Sequence, residues 1–344
     1  MVDTWGFALI GISSFVVTFA TFPSFIKRMH IQKIEWGDFN KKGKPLVAGM
    51  GGVVVLLGFV FSIMVGLFLH SYFHLFFALD LLALLAALLT IILVGLIGII
   101  DDIIGWTKGM RQYQHALFPI FAALPIMVLP QTIGNTGMVL PYFGLVNFGI
   151  LYSLIVVPIA VTGASNATNM LAGLNGLEAG LASINALALL VVGLITGRVE
   201  VVLIMLGLLG SLIAFLKFNW SPARVFPGDS FTLMIGASFA AVSIVGNIER
   251  VGLMLFGLYF VELVLKGRTK MQAQSFGIIQ EDGTLQAPPR IGSLTHVVMR
   301  MGRFTESQAV KIILSMQVIV ALLALLVFWL NFTLHNPLAG SGVL

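Results

Sequence analysis

Apolar residues run through this chain in blocks of about twenty, separated by short polar interruptions. The blocks lie near 5–26, 46–69, 75–100, 112–129, 144–163, 176–196, 199–217, 229–247, 251–266 and 309–333. A helix needs about 20 mostly apolar residues to cross the hydrocarbon core, so the pattern predicts ten transmembrane helices. The block at 112–129 is the most polar, because Gln112, Gln114 and His115 stand at its start. The first block is too long for a cleavable signal and lacks a small-residue cleavage site, so it reads as the first span. Between 266 and 308 the apolar pattern lapses. There "FGIIQEDGTLQ" alternates about Glu281-Asp282-Gly283 and predicts a small β-hairpin.

Composition agrees with the pattern. Of 344 residues 58% are hydrophobic and 10% are charged, where a soluble domain carries about 25% charged residues. The expected class is an all-α integral membrane protein, a single polytopic domain over 1–344. The chain has no Cys, which excludes disulfides, Cys-ligated zinc and thiol nucleophiles. Charge then orients the bundle. Ten spans put both termini on one side, and the odd-numbered connections with their helix ends hold all but two of the 19 Lys and Arg residues; the exceptions are Arg198 and Arg250. By the positive-inside rule the odd connections, including the 266–308 loop, are cytoplasmic and both termini are outside.

The polar motifs sort to the same side. "GDFN" (37–40), "IIDDIIG" (99–105), "SNATNMLAGLNGLEAG" (165–180) and "RVFPGDS" (224–230) all fall at cytoplasmic helix ends, which puts an active cleft on the cytoplasmic face. A solute transporter or flippase would bury polar groups near the midplane, often in repeated halves; neither is visible here. Asp101 and Asp102 end span three and point about 100° apart on a helix, so they can serve different partners. Carboxylates at a helix C-terminus oppose its dipole, and the pair therefore calls for a compensating cation. Asp229 follows Pro227-Gly228 as a favoured N-cap residue and would also serve as a metal ligand. Asn166 and Asn169, at i and i+3, share a helix face, and Gly173 and Gly176 relax the backbone around Asn175. Carboxylate and amide oxygens suit Mg²⁺ or Mn²⁺ rather than zinc. Basic residues in the loops suit an anionic ligand, and equally suit a merely topogenic role beside anionic lipid. Two further acids read as structural: Asp80 meets a polar neighbour near the outer end of span three, and Glu262 either pairs with Lys266 at i+4 or serves the site.

"IIDDIIG", "NATNMLAGLNGLEAG" and "RVFPGDSFTLMIGA" together resemble the polyprenyl-phosphate N-acetylhexosamine-1-phosphate transferase superfamily. Within it, "AGLNGLEAG" and "GDFNK" are most similar to the archaeal and eukaryotic UDP-GlcNAc:dolichyl-phosphate GlcNAc-1-phosphotransferases. Bacterial phospho-MurNAc-pentapeptide translocases have a second acid where this chain reads Asn175. The resemblance runs in order from about 37 to 270.

What the resemblance implies is a one-step transfer of GlcNAc-1-phosphate from UDP-GlcNAc to a polyprenyl or dolichyl phosphate, with release of UMP. It implies a prokaryotic cell membrane of archaeal type, a lipid groove beside the cleft and a role in glycan assembly such as protein glycosylation. Asp229 and Asn169 match Mg²⁺ contacts. Asn175 matches the residue that reads the uracil edge and Phe226 the one beside the base. Asp101 matches the acid near the attacking lipid phosphate, and Asp102 the one that organises the metal and pyrophosphate surroundings. Asn166 and Asp38 take supporting roles. Two departures stand out. The family's span-four Lys falls on His115, with Lys108 and Arg111 as nearby substitutes. The long loop lacks the usual His- or Arg-rich stretch before its hairpin, leaving Arg268, Lys270 and Gln272 to meet pyrophosphate or sugar. The implied partners are UDP-GlcNAc, polyprenyl phosphate and membrane lipid; a homodimer is compatible, and nucleic acid is not expected. Another UDP-N-acetylhexosamine donor, or a non-catalytic protein that binds or transports nucleotide sugars, are the alternatives.

Overall fold

The computed structural model describes residues 4–105, 112–134, 137–140 and 144–335. All ten apolar blocks contain helix. The long ones are α1 (Thr4–Ile31), α2 (Gly51–Phe73), α3 (Leu81–Gly105), α8 (Leu177–Thr196), α9 (Val199–Asn219) and α14 (Glu306–His335). These six are long and apolar enough to cross a membrane singly, which makes the chain a multi-pass membrane protein. The fourth block breaks into α4 (Gln112–Ala122), α5 (Leu124–Met127) and α6 (Pro130–Gly134), where Pro119, Pro125 and Pro130 interrupt the backbone ladder. The ninth block divides at Phe256 into α11 (Glu249–Leu255) and α12 (Gly257–Arg268).

Two block edges differ from the hydropathy pattern. Leu46–Ala48 is a strand, β2, paired antiparallel with β1 (Glu35–Gly37). Met50 at φ 59° then turns the chain into α2. Likewise Gly144–Asn147 is strand β4, paired with β3 (Gly137–Leu140). Helix in that block is a π-helical turn (Tyr152–Val156) leading into α7 (Val157–Met170). The shift follows from Gly149 at φ 55°, whose N–H is held by the Asn147 side chain. It carries Asn166 and Asn169 into helix. The expected hairpin of the long loop is present as β5 (Ile278–Ile279) and β6 (Leu285–Gln286), closed by Gly283 at φ 82° and followed by α13 (Leu294–Met301). The first two hairpins were invisible to a search for twenty-residue blocks, because each strand is three or four residues long.

At the centre lies α10 (Asp229–Val245), in which every residue from Ser230 to Val245 is buried. It packs on α2, α3 and α7. Lipid supplies no hydrophobic drive between helices, so association depends on close packing of small residues. Glycines provide it on α2 and α3, and on α10 itself where it meets α7. A Cβ on Gly98 of α3 would lie 2.5 Å from the Asp229 carbonyl oxygen, one on Gly52 of α2 would overlap the Phe231 amide, and one on Gly236 would overlap the Ala164 carbonyl of α7. The loop before α10 is fixed to α2 as well: Gly51 and Gly52 N–H groups donate to the carbonyls of Phe226 and Pro227 at 2.8 and 2.9 Å. In consequence the C-terminal ends of α3 and α7, the N-terminal ends of α8, α10 and α14, and the first hairpin gather at one end of the bundle.

Gly236→Val should therefore lower the apparent melting temperature of the detergent-purified protein by several degrees, since overpacking typically costs about 1–3 kcal/mol. Gly267→Ala, where a Cβ meets nothing within 4 Å, should not. Differential scanning fluorimetry on the two variants checks this.

Candidate active site

The gathered helix ends enclose a cavity of about 440 Å³. Its architecture begins with Asp102, in the last turn of α3. One carboxylate oxygen accepts from the Asp229 N–H at 2.8 Å and the other from the Ser230 N–H at 3.0 Å. Asp102 thus caps α10 from another helix. The cap residue in the chain itself is Gly228, at φ 74°, where a Cβ would stand 2.6 Å from the Asp102 carboxylate. This corrects one reading of the sequence: Asp229 is not the N-cap. Asp102 is balanced by the positive end of a helix dipole.

Relieved of capping, the Asp229 side chain hydrogen-bonds with Asp101 and Asn169. Asp101 and Asp102, adjacent in α3, therefore do serve different partners. Two carboxyl groups in contact repel when both are ionised, so the arrangement calls for a proton or a cation between them. The described lining of the cavity contains Asp38, Asp101, Asp102, Glu178 and Asp229 but no Lys or Arg. Among the described residues no three acids or imidazoles cluster into a protein-only metal site. An all-oxygen set of Asp229, Asn169 and Asp101 nevertheless fits Mg²⁺, which keeps water and takes phosphate oxygens for much of its shell.

Opposite the acids, Asn175 is held at several points. Its side-chain amide donates to Asp38 at 2.8 Å, and its backbone N–H donates to Glu306 at 2.9 Å. Glu306, the buried first residue of α14, also accepts from Ser221 at 3.0 Å and from Lys41. Asn40 spans the gap, donating to the Gly173 carbonyl at 2.8 Å and accepting from the Gly277 N–H at 3.2 Å. Gly173 and Gly176 sit at φ 115° and 84°, where a side chain would be strained. Glu178 accepts from the Gly173 N–H at 2.8 Å, and Asn219 accepts from the Gly176 N–H at 3.1 Å. Phe226 and Phe276 add aromatic wall, with the Phe276 ring 5.2 Å from that of Phe39.

The long loop reaches the cavity through Phe276. Glu262 caps α13 by accepting from Leu294 N–H at 2.6 Å and lies 3.7 Å from Lys266; of the two readings offered for it, the structure shows the pairing with Lys266. Lys266 donates to Ala273 and Ser275. His296 Nδ1 accepts from the Gly292 N–H at 3.3 Å, which leaves Nε2–H to donate to the Phe276 carbonyl at 3.1 Å. Burial holds this imidazole below its ordinary value of 6.5, and the nearby Lys266 charge adds to the effect.

The structure thus brings together Asp38, Asp101, Asp102, Asn169, Asn175, Phe226 and Asp229. It does not bring Asn166 to them. One turn before Asn169 on α7, Asn166 donates to the Thr162 carbonyl and lines a second, apolar cavity of about 480 Å³ between α7, α10 and α12. Arg268, Lys270 and Gln272 lie at the end of α12 and the turn after it, outside the lining of the first cavity. Lys108, Arg111 and the side chain of His115 fall outside the described residues. Asp80 meets a polar neighbour as expected: its carboxylate accepts from Ala83 N–H at the start of α3. Sequence reasoning missed Glu306, Asn40, Asn219 and Phe276. Asn40 stands two residues from Asp38 in the quoted "GDFN", so proximity was a usable signal there. Glu306 opens a helix after Thr305 and reads as an ordinary first-turn acid.

Comparison with known proteins follows the same residues. A profile described as glycosyl transferase family 4 matches residues 84–247. The chain is also 36% identical over 321 residues to a Saccharolobus solfataricus protein provisionally named a UDP-N-acetylglucosamine–dolichyl-phosphate N-acetylglucosaminephosphotransferase, covering 91% of this chain and 94% of that one. The chain belongs to glycosyl transferase family 4. A Sulfolobus acidocaldarius family member with the same provisional name is 34% identical over 326 residues, covering 94% and 97% of the two chains. A phospho-N-acetylmuramoyl-pentapeptide-transferase of Limosilactobacillus reuteri is 34% identical over 270 residues, covering 73% and 77%. The family profile spans Asp101, Asp102, Asn169, Asn175, Phe226 and Asp229 but ends before Glu306 and begins after Asp38 and Asn40.

Three outcomes are expected from this geometry. Asp102→Asn leaves one acceptor oxygen for two amides and should destabilise the protein by about 1 kcal/mol, the usual scale of a lost helix cap. Asp101→Asn removes a like charge beside Asp229 and should leave the melting temperature unchanged or raised. The His296 contribution has the sign of a base with a depressed folded value: complete above pH 6.5 and lost as pH falls through the lowered value. Melting temperature should therefore decline from pH 7.5 to 5, and decline less in His296→Gln.

Proposed function

We propose that this protein transfers GlcNAc-1-phosphate from UDP-GlcNAc to a dolichyl-type polyprenyl phosphate, leaving GlcNAc-diphospho-lipid and UMP. The observation that carries the reading is the last turn of α7. Asn169 there faces an acidic cavity of oxygen donors, and Asn166 with Met170 faces an apolar cavity. A reaction joining a charged nucleotide sugar to a polyprenyl phosphate needs those two environments side by side. The archaeal relatives, matched over nearly their full length, carry the name of this activity.

In this reading the apolar cavity takes the prenyl chain, and the donor lies across the acidic one. Asn175, fixed by Asp38 and Glu306, reads the uracil edge, with Phe226 beside the base. Asp229 and Asn169 hold Mg²⁺ or Mn²⁺, which when bound would neutralise pyrophosphate charge. Asp102 keeps α10, and with it Asp229, in place. Asp101 lies where the lipid phosphate approaches. That phosphate has a second pKa of about 6 and is mostly dianionic at neutral pH, so no general base is required. Its oxygen attacks the β-phosphorus directly, the bond to UMP breaks, and catalysis is positioning with charge neutralisation. Lys108, Arg111, His115, Arg268, Lys270 and Gln272 are assigned to the phosphates and sugar. All ten helical blocks span the bilayer, with the 17 basic residues of the odd connections on the cytoplasmic side together with the cleft, and both termini outside.

Purified protein in detergent with Mg²⁺, UDP-GlcNAc and dolichyl or undecaprenyl phosphate should release UMP. Release should require lipid and metal, stop with EDTA, and fall at least 100-fold in Asp229→Asn, in line with loss of one charge-stabilising group. UMP from another UDP-N-acetylhexosamine alone would keep the chemistry and change the donor. Tight nucleotide binding without UMP from any donor would replace the enzyme with a receptor.

A further inference from the structure

Arg250 is the charged side chain that the architecture explains least. It lies beyond the end of α10, at the bundle end opposite the acidic cavity, where Arg198 between α8 and α9 lies too. Arg198 has the carboxylate of Glu200 within electrostatic range. Arg250 has no such partner among the described residues. Its Nε is buried without an acceptor, and among the described residues its guanidinium makes neither hydrogen bond nor ion pair. The adjacent Glu249 does not serve, because its carboxylate accepts from the Tyr152 hydroxyl. Buried guanidinium N–H groups are satisfied in folded proteins, by protein, water or ligand.

The space beside Arg250 is of a suitable kind. A cavity of about 510 Å³ lies between the start of α11, β3 and the last turns of α14. Asn247, Glu249, Arg250 and Asn331 supply its polar side, with Glu249 engaged by the Tyr152 hydroxyl, while Met254, Val327 and Phe328 supply an apolar wall. At the same level α14 carries Phe328, Phe332 and Trp329 as a stacked aromatic group, with ring centroids 5.7 and 6.4 Å apart. Trp329 is half exposed. Aromatic residues of this type mark the boundary between hydrocarbon and headgroups.

We infer that this cavity binds an anionic phospholipid, with the phosphate on the Arg250 guanidinium and an acyl or isoprenoid chain against Val327 and Phe328. The acceptor-free guanidinium selects a phosphate ester, since its fork matches phosphate oxygens. The apolar wall selects a lipid over a soluble ester. The site is separate from the acidic cavity and does not depend on the donor or acceptor assigned there.

The test uses purified full-length protein in detergent, titrated with dioleoylphosphatidylglycerol, dioleoylphosphatidylcholine or glycerol phosphate, and read by native mass spectrometry and melting temperature. Phosphatidylglycerol should remain bound after detergent removal in the gas phase and raise the melting temperature; the other two should not. Arg250→Gln should weaken that binding at least tenfold, and Val327→Trp, which fills the cavity without changing charge, should do the same. UMP release unchanged in both variants would show that each is folded, and either folded variant suffices. Equal binding of phosphatidylcholine, or retention of phosphatidylglycerol by a folded variant, would overturn the proposal. An equal shift with glycerol phosphate would overturn the lipid as occupant.

Discussion

One carboxylate joins two helices end to end in this protein. Asp102, where the dipole of α3 is unfavourable to negative charge, receives the first two N–H groups of α10, where the dipole is favourable. The bond does three things at once. It satisfies amides that a buried helix start would otherwise leave unmet. It allows α10 to begin deep in the bundle with no cap from its own side chains. And it frees Asp229 to face the cavity. Gly228 is part of the same device, because its missing side chain is the room the Asp102 carboxylate occupies.

Around that junction the fold trades side-chain bulk for proximity. Gly52, Gly98 and Gly236 let α2, α3 and α7 approach α10 at backbone distance. The acids and amides on those helix ends are then brought within reach of each other without long side chains, so their positions are set by backbone packing. Short, stiff ligands on rigid helices suit a site where charges must be placed and held. The cavity consequently holds carboxylates close together, an arrangement whose repulsion a proton or a cation relieves.

Much of this was legible from the chain, and the limits are physical. The apolar blocks show because the bilayer imposes a length, and six of them hold a single helix of that length. Short strands such as Leu46–Ala48 and Gly144–Asn147 carry no such length signal, and the two corrected block edges both occur there. Asn166 and Asn169 share a helix as their spacing predicts, yet they line different cavities, because neighbours on either side of α7 decide what each one meets. The partnership of Asp102 with Asp229 spans 127 positions and that of Asn175 with Glu306 spans 131. Nothing local marks either pair. The motifs located the acids and amides; only three dimensions assigned Asp102 to a helix cap and Glu306 to the support of Asn175.

The position of Glu306 has a consequence for how the protein is made. Chains enter a membrane from the N-terminus onward, and nearly every wall of the acidic cavity is contributed by residues before 280. The acceptor for the Asn175 N–H, for Lys41 and for Ser221 is the first residue of the last helix. Until α14 has left the ribosome and docked, those donors lack that acceptor, and the Asn175 side of the cavity lacks one of its supports. Maturation of the site therefore waits on the final segment of synthesis, so that a stalled or shortened chain is built without a finished cleft.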